Sequence, residues 1–193
     1  MLDLWSLRGE LAYVRREDGY VKIGALTTID ELYSSFLGKE RKYLGFVDLY
    51  KGFGAYYLRS IATVGGNIGT GHPLSDVAIL LMTLDAEVRL VSKSGERWVK
   101  LDKLYRGKRE LDRRPDELIM EVRFRDAPDN SSTALLKIDR RHGHSMGYIV
   151  TAAYLELDGN IIRDIRIAFD SMGEPYPGRA YKTEDYLRGR ELS

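Results

Sequence analysis

The chain has 193 residues, of which 44% are hydrophobic and 31% are charged, and its formal net charge is +1. This balance argues against a dedicated nucleic-acid-binding domain, which usually carries a basic excess, and no apolar run is long enough to span a membrane. With no cysteine, the chain cannot form disulfides, thiolate nucleophiles, or sites in which cysteine holds zinc or an iron–sulfur cluster. The N-terminus lacks the features of a signal peptide, so we expect a cytoplasmic protein.

The first third of the chain is predicted to form a hairpin followed by helices. Two short strands over 10–26 meet at Asp18-Gly19, a dipeptide typical of a two-residue hairpin turn. Thr28 and Glu31 have the spacing of a capping box, which predicts that a helix begins at Thr28. The aromatic stretch 41–58 is interrupted by glycines and is interpreted as short helix and loop.

The rest of the chain is predicted to alternate one helix with antiparallel strands. An apolar helix is expected over 73–86, because proline is favoured in a first helical turn. Strands are expected over 86–92, 97–101 and 117–124, and a polar stretch at 125–133 indicates a boundary. Beyond it we expect a three-stranded antiparallel sheet and a helix over 179–189. The predicted fold class is therefore α+β, with a first domain at 1–125 and a second at 126–193.

The stretch "RSIATVGGNIGTGHPLSD" (59–76) combines glycines with small polar residues. We expect a loop that leads through Gly65, Gly66 and Asn67 into the helix at 73. Glycines allow backbone N–H groups to approach an anion, and a helix N-terminus adds positive potential. Asp76 could accept hydrogen bonds from sugar hydroxyls, so the pattern suggests a ligand of the nucleotide type. A glycine-rich connection in which Asp76 only caps the helix explains the same pattern.

The segment "IATVGGNIGTGHPLSDVAILLMTLDAEVRL" closely resembles the FAD-binding medium subunit of molybdenum hydroxylases. These enzymes include carbon monoxide, xanthine and archaeal aldehyde dehydrogenases. The A-T-x-G-G-N, P-x-S-D and L-D-A motifs of the family are all present. Further matches at "KIGALTTIDEL", "PDELIMEVRF" and "LLKIDRR" extend the resemblance over almost the whole chain. It implies a middle FAD-binding subdomain with a mainly antiparallel sheet, followed by a small C-terminal domain.

The resemblance also implies which residues bind FAD. Ile119 would contact the flavin ring system, and Lys137 would lie close to it, where a cation stabilises the negative charge of the reduced ring. Ser75 and Asp76 would hydrogen-bond the sugar and diphosphate. The full set of implied cofactor-binding residues is Phe53, Leu58, Thr63, Gly65, Gly66, Asn67, Thr70, Ser75, Asp76, Ile119 and Lys137. No catalytic residue and no metal ligand is predicted.

Members of this family pass electrons through FAD to an acceptor, and their partners hold the other cofactors. The resemblance therefore implies a molybdopterin-binding large subunit and an iron–sulfur small subunit. The family's N-terminal pyrophosphate-binding subdomain and its last C-terminal helices are expected to be missing here. A separate N-terminal FAD-domain fragment is then a further expected partner. The alternative hypothesis is a truncated relative that binds no flavin and acts only in assembly or docking.

Two histidines form a second candidate site. His142 and His144 lie beside Arg140 and Arg141, but no third metal ligand accompanies them. We interpret this cluster as an exposed basic turn rather than a metal site.

Overall fold

A computed structural model describes residues 3–139, 147–170 and 175–192. Its α-helices are α1 (Arg8–Leu11), α2 (Ile29–Ser34), α3 (Leu44–Gly52), α4 (Tyr56–Ile61), α5 (Val64–Gly69), α6 (Asp76–Thr83), α7 (Leu101–Leu104) and α8 (Tyr181–Leu187). Short 3-10 turns cover Trp5–Leu7, Phe36–Gly38 and Arg41–Tyr43. None of the helices in the described ranges has the length and apolar character needed to cross a bilayer.

The strands in the described ranges belong to three antiparallel sheets. They are β1 (Val14–Glu17), β2 (Tyr20–Gly24), β3 (Glu87–Ser92), β4 (Gly95–Lys100), β5 (Tyr105–Gly107), β6 (Glu110–Leu111), β7 (Leu118–Arg125), β8 (Ser131–Asp139), β9 (Gly147–Asp158), β10 (Ile161–Phe169) and β11 (Gly178–Arg179). The larger sheets have the orders β1-β2-β7-β3-β4 and β11-β10-β9-β8, and β5 pairs only with β6. The predicted α+β class is confirmed.

Two local predictions in the first sheet region are confirmed. The β1–β2 turn is made by Asp18 and Gly19, both at positive φ (53° and 76°), as a two-residue hairpin of this twist requires. The Thr28 side chain caps α2, and Glu31 Oε2 accepts a hydrogen bond from the Thr28 backbone N–H at 2.9 Å. These contacts are local, so the sequence alone specifies them.

Within the part of the chain that the structure describes, the C-terminal sheet has four strands in place of the predicted three. The additional strand β11 is only Gly178–Arg179, which pairs with Ala168 and Phe169 of β10. Two residues are too few to show an alternating pattern, so periodicity could not indicate this strand.

Helix α6 lies at the centre of the protein. Every residue from Asp76 to Thr83 is buried, and the helix packs against both β9 and β10 of the C-terminal sheet. Side chains from both large sheets join one core with α6, including Val88, Val122, Val150 and Ala152. Ser75 and Asp76, at the N-terminal end of α6, are buried with the rest of the helix.

The glycine-rich segment is the main departure from the predicted elements, since it forms helix α5 rather than a loop. Glycine pairs have low helix propensity, but packing overrides propensity here. A Cβ on Gly65 would lie 2.7 Å from the Cβ of Ala25, so only glycine lets α5 approach β2 this closely. The Gly65 N–H also donates to the Ala25 carbonyl at 2.8 Å.

Candidate functional site

The exposed face of α5 is lined by small and polar residues. Thr63 caps the helix, and its Oγ1 accepts a hydrogen bond from the Gly66 N–H at 3.1 Å. Val64, Gly65 and Ile68 are buried against the sheet, whereas Gly66, Gly69 and Thr70 are exposed. This face therefore offers backbone and hydroxyl groups with no bulky side chain in front of them.

A cavity of about 270 Å³ opens beside this face. It brings together four of the predicted cofactor-binding residues, Thr63, Gly65, Gly66 and Ile119. Its other lining residues, which the sequence analysis did not assign to a site, are Leu4, Ala25, Leu26, Gly69, Arg113, Glu117 and Leu118. The cavity is slightly smaller than a typical site for a drug-sized ligand, which suits one portion of a larger cofactor.

Asn67 connects α5 to the start of α6. Its side-chain oxygen accepts a hydrogen bond from the Ser75 hydroxyl, and its backbone carbonyl accepts one from Thr70 Oγ1 at 2.8 Å. The turn between the helices passes Gly71, whose positive φ of 59° and close approach to the Arg109 backbone require glycine. Three predicted residues, Asn67, Thr70 and Ser75, therefore lie together. The Asn67 amide nitrogen has no hydrogen bond to any described residue, so it can still donate.

Asp76, the first residue of α6, forms a buried ion pair with Lys137. Lys137 Nζ lies 3.0 Å from Asp76 Oδ2 and donates also to the Gly52 carbonyl at 3.2 Å. Burial raises the pKa of Asp76 above its ordinary value, Lys137 opposes that shift, and nearby Asp139 adds to it. The sequence predicted both residues for the site; the structure adds that they contact each other across 61 residues of chain.

Asp170 is a second buried carboxylate near this pair, which the sequence analysis missed. Its Oδ2 accepts a hydrogen bond from the Val150 N–H at 3.0 Å. Burial is the main cause of its raised pKa, and the charge of Asp76 adds to it. Because Asp170 is distant in sequence from the glycine motif, no local pattern pointed to it.

Phe53 and Leu58 lie apart from the cavity, Phe53 directly after α3 and Leu58 within α4. Phe53 is half-buried against the core and adjoins Gly52, the partner of Lys137. Leu58 is 38% exposed. Arg59 holds the turn between α3 and α4 by donating to the carbonyls of Phe53 and Gly54 at 3.1 and 2.7 Å. Neither of the two predicted residues lines the cavity beside α5.

Tyr105 is another residue near the site that sequence analysis missed. Its side chain is buried, and its hydroxyl oxygen has no hydrogen-bond partner among the described residues. Burial raises the pKa of Tyr105 to about 12, and the Ser75 side chain opposes that shift. Because Ser75 is the neighbour that opposes this shift, the Tyr105 hydroxyl lies beside the Ser75 side chain in the core. The His142 and His144 cluster lies outside the described residues.

Two family models match the chain. The first, described as FAD binding domain in molybdopterin dehydrogenase, covers residues 6–124. The second, described as CO dehydrogenase flavoprotein C-terminal domain, covers residues 134–193.

Relatives and solved structures agree with these models. The glyceraldehyde dehydrogenase medium chain of Sulfolobus acidocaldarius is 30% identical over 194 residues, covering 100% of this chain and 67% of the relative. The xanthine dehydrogenase FAD-binding subunit of Escherichia coli O157:H7 is 25% identical and covers 100% and 66%. The structure of carbon monoxide dehydrogenase from Hydrogenophaga pseudoflava matches with a TM-score of 0.89 and 25% identity, over 96% of this chain and 63% of that one. This chain therefore spans about two thirds of the length of the proteins that it matches.

Proposed function

Because the chain belongs to the family of FAD-binding subunits of molybdopterin dehydrogenases, we propose that it binds FAD along α5 and the start of α6. In this proposal it acts as the electron-transfer flavoprotein of a molybdenum hydroxylase. When bound, FAD would supply the electron-transfer chemistry. The protein would bind, orient and tune the cofactor.

The observation that carries this proposal is one continuous polar path. It begins at Thr63 on the cavity, continues through Asn67 and Ser75, and ends at the Asp76–Lys137 pair. An elongated ligand with hydroxyl, phosphate and ring portions would match such a path, whereas a compact ligand would use only part of it. The glycine face of α5 permits the close backbone approach that phosphate oxygens need.

Each part of the path has a proposed role. The free amide of Asn67 would donate to the ribityl and pyrophosphate region, and the Thr70 hydroxyl, which already donates to the Asn67 carbonyl, would accept a hydrogen bond there. Ile119 provides an apolar wall at the cavity for the ring system. Lys137 would provide positive charge at the end of the path away from the cavity, where it could pair with an anionic portion of the cofactor. Asp76 accepts from a sugar hydroxyl and at the same time fixes the Lys137 ammonium.

The proposed partners are a molybdopterin-binding subunit and an iron–sulfur subunit. An exposed apolar face on α4 supports a protein interface. Tyr56 and Tyr57 are 67% and 64% exposed, and Ile61 is 55% exposed. Such a patch is unusual on a surface that contacts only water. A fragment that supplies a further FAD-binding subdomain is also a proposed partner.

An absorption titration tests the proposal. FAD is added to the purified chain, and the change in the visible flavin spectrum gives the dissociation constant. We expect Asn67→Ala to weaken FAD binding about tenfold, the effect of one lost hydrogen bond to a charged group. Asn160→Ala is the matched control, because Asn160 lies in the β9–β10 turn, far along the chain from the site. Saturable binding that is unchanged in Asn67→Ala would argue against this site, and no spectral change at high FAD would argue against flavin binding by this chain.

A further inference from the structure

A second cavity, of about 230 Å³, lies where the two large sheets meet. Its walls come from the ends of β2, β4 and β7, from the α6–β3 turn and from β10. The lining residues are Tyr20, Leu84, Asp85, Glu87, Lys100, Arg123, Phe124, Arg125 and Arg166. None of them belongs to the proposed flavin site.

Cationic side chains outnumber carboxylates in the lining of this cavity. Four cationic side chains line it against two carboxylates, Asp85 and Glu87. Both carboxylates are already paired, since Lys100 Nζ lies 3.1 Å from Asp85 and Arg123 Nε donates to Glu87 at 2.8 Å. Arg179 also donates to Asp85 at 3.1 Å. The lining therefore keeps an excess of positive charge after its own ion pairs are counted.

Arg125 is the least committed of these cations. Its guanidinium lies 4.4 Å from the centre of the Tyr20 ring, and it forms no ion pair with any residue that the structure describes. Arg166 uses its Nε for Asp164 at 2.8 Å and one Nη for the Thr83 carbonyl at 3.2 Å. An arginine has five N–H donors, so donors remain on both side chains.

Aromatic rings hold the arginines of β7 in place. The Arg123 guanidinium lies 3.7 Å from the centre of the Trp98 ring and 4.9 Å from that of Tyr20. Stacked guanidinium groups lose little conformational freedom when they bind a ligand. A set of pre-oriented arginines with an uncompensated charge is the arrangement that binds planar or tetrahedral oxyanions with two hydrogen bonds each.

We propose that this cavity is a binding site for a phosphate group, held by Arg125, Arg123 and Arg166 with Lys100 at the rim. A dianion matches the charge excess better than a single carboxylate does. The volume accommodates inorganic phosphate or a small phosphate monoester. The site lies between the regions matched by the two family models, so an occupant would connect the first sheet to β10.

Isothermal titration calorimetry at constant ionic strength tests this site, with chloride replaced by inorganic phosphate or by glycerol phosphate. We expect saturable binding that Arg125→Gln weakens about tenfold, as loss of a charge-assisted bond would. Arg190→Gln is the matched control, since Arg190 is also exposed, lies over a tyrosine ring and forms no ion pair within the described ranges. Tighter binding of glycerol phosphate would identify a monoester site, and equal or weaker binding would identify a phosphate-ion site.

Asp85→Asn should change the phosphate affinity in the opposite direction. Removing this carboxylate frees Lys100 and Arg179, so phosphate should bind about threefold more tightly, the size of an exposed ion-pair term. Binding without saturation, or equal binding by the wild type and Arg125→Gln, would overturn the proposal. Phosphate affinity that falls in Asn67→Ala but not in Arg125→Gln would also overturn it, because phosphate would then occupy the flavin path.

Discussion

Two buried carboxylates border the proposed flavin site, and they are held in contrasting ways. Glu117 accepts hydrogen bonds from Arg97 Nε at 2.7 Å, from Arg97 Nη2 at 3.0 Å and from the Arg114 N–H at 2.7 Å. Arg97 is the main reason that the pKa of Glu117 falls to about 2. Among the residues that the structure describes, Asp76 has a single cationic partner, Lys137, and burial raises the pKa of Asp76.

The difference separates the framework of the protein from its ligand site. A carboxylate saturated with donors has no capacity left for a ligand, so Glu117 holds the start of β7 in place beside the cavity. An under-coordinated carboxylate with a raised pKa can accept further donors when a ligand arrives. Asp76 is such an under-coordinated carboxylate, and it lies on the polar path.

Arg97→Ala should have the largest effect, because it leaves Glu117 buried with too few donors. We expect the free energy of unfolding to fall by about 2.5 kcal/mol, because two hydrogen bonds to a charged group are lost while Arg114 still contacts Glu117. Urea unfolding measures this value. Arg163→Ala, which removes an exposed partner of Glu156, should cost less than about 0.5 kcal/mol. Equal losses in the two variants would show that the Arg97–Glu117 pair stabilises the fold no more than an exposed ion pair does, which would contradict the framework role of Glu117.

The same contacts predict acid sensitivity. A carboxyl whose pKa is about 2 in the folded state and about 4.5 otherwise contributes stability at neutral pH. That contribution should decline as the pH falls from about 4.5 towards 2. Glu117→Gln should be less stable than the wild type at pH 7, and the difference should shrink over this range. A difference that stays constant with pH would show that Glu117 is not the ionised partner of Arg97.

Gly65→Ala should lower the free energy of unfolding by an intermediate amount. The new Cβ would lie 2.7 Å from the Cβ and 2.9 Å from the carbonyl oxygen of Ala25, so α5 would have to move. We expect a loss of about 2 kcal/mol in unfolding free energy, typical of overpacking. Gly9→Ala is the control, since a Cβ on Gly9 would meet no other atom within 4 Å. Thermal unfolding of both variants compares them, and a neutral Gly65→Ala would contradict the tight contact between α5 and β2.

Lys137→Met should have the smallest effect on stability. Without Lys137, Asp76 can take up a proton, since burial already raises its pKa above 3.8. We expect a loss of about 1 kcal/mol at pH 7, below the usual cost of breaking a buried pair. Because the folded carboxyl then binds its proton more tightly than the unfolded one, this loss should diminish as the pH falls towards 4. A loss as large as that of Arg97→Ala, and independent of pH, would make Asp76 a framework residue like Glu117.

The sequence predicted what local contacts determine. The hairpin at Asp18-Gly19 and the cap at Thr28 depend on residues within three positions of each other, and both are confirmed. The family resemblance, carried by the motifs at 62–86, is confirmed as well. The roles of the eleven proposed FAD-binding residues and the domain boundary at 125/126 stay predictions.

Other features depend on contacts that no local pattern contains. Helix α5 forms because Gly65 packs on Ala25, a residue 40 positions earlier. Tyr105 and Asp170 lie near the site only because the core brings β5 and the end of β10 towards α6. The pairing of Glu117 with Arg97 likewise spans 20 residues. Propensity and periodicity cannot anticipate contacts of this range.

Hydrogen–deuterium exchange with and without FAD tests the central proposal most directly, because it locates the bound cofactor on the chain. We expect FAD to slow exchange of backbone amides over 63–76 and around Lys137. The β9–β10 turn at 158–160 should exchange as before. Protection confined to other segments, or none at FAD concentrations that saturate the absorption change, would contradict a flavin site on α5 and α6.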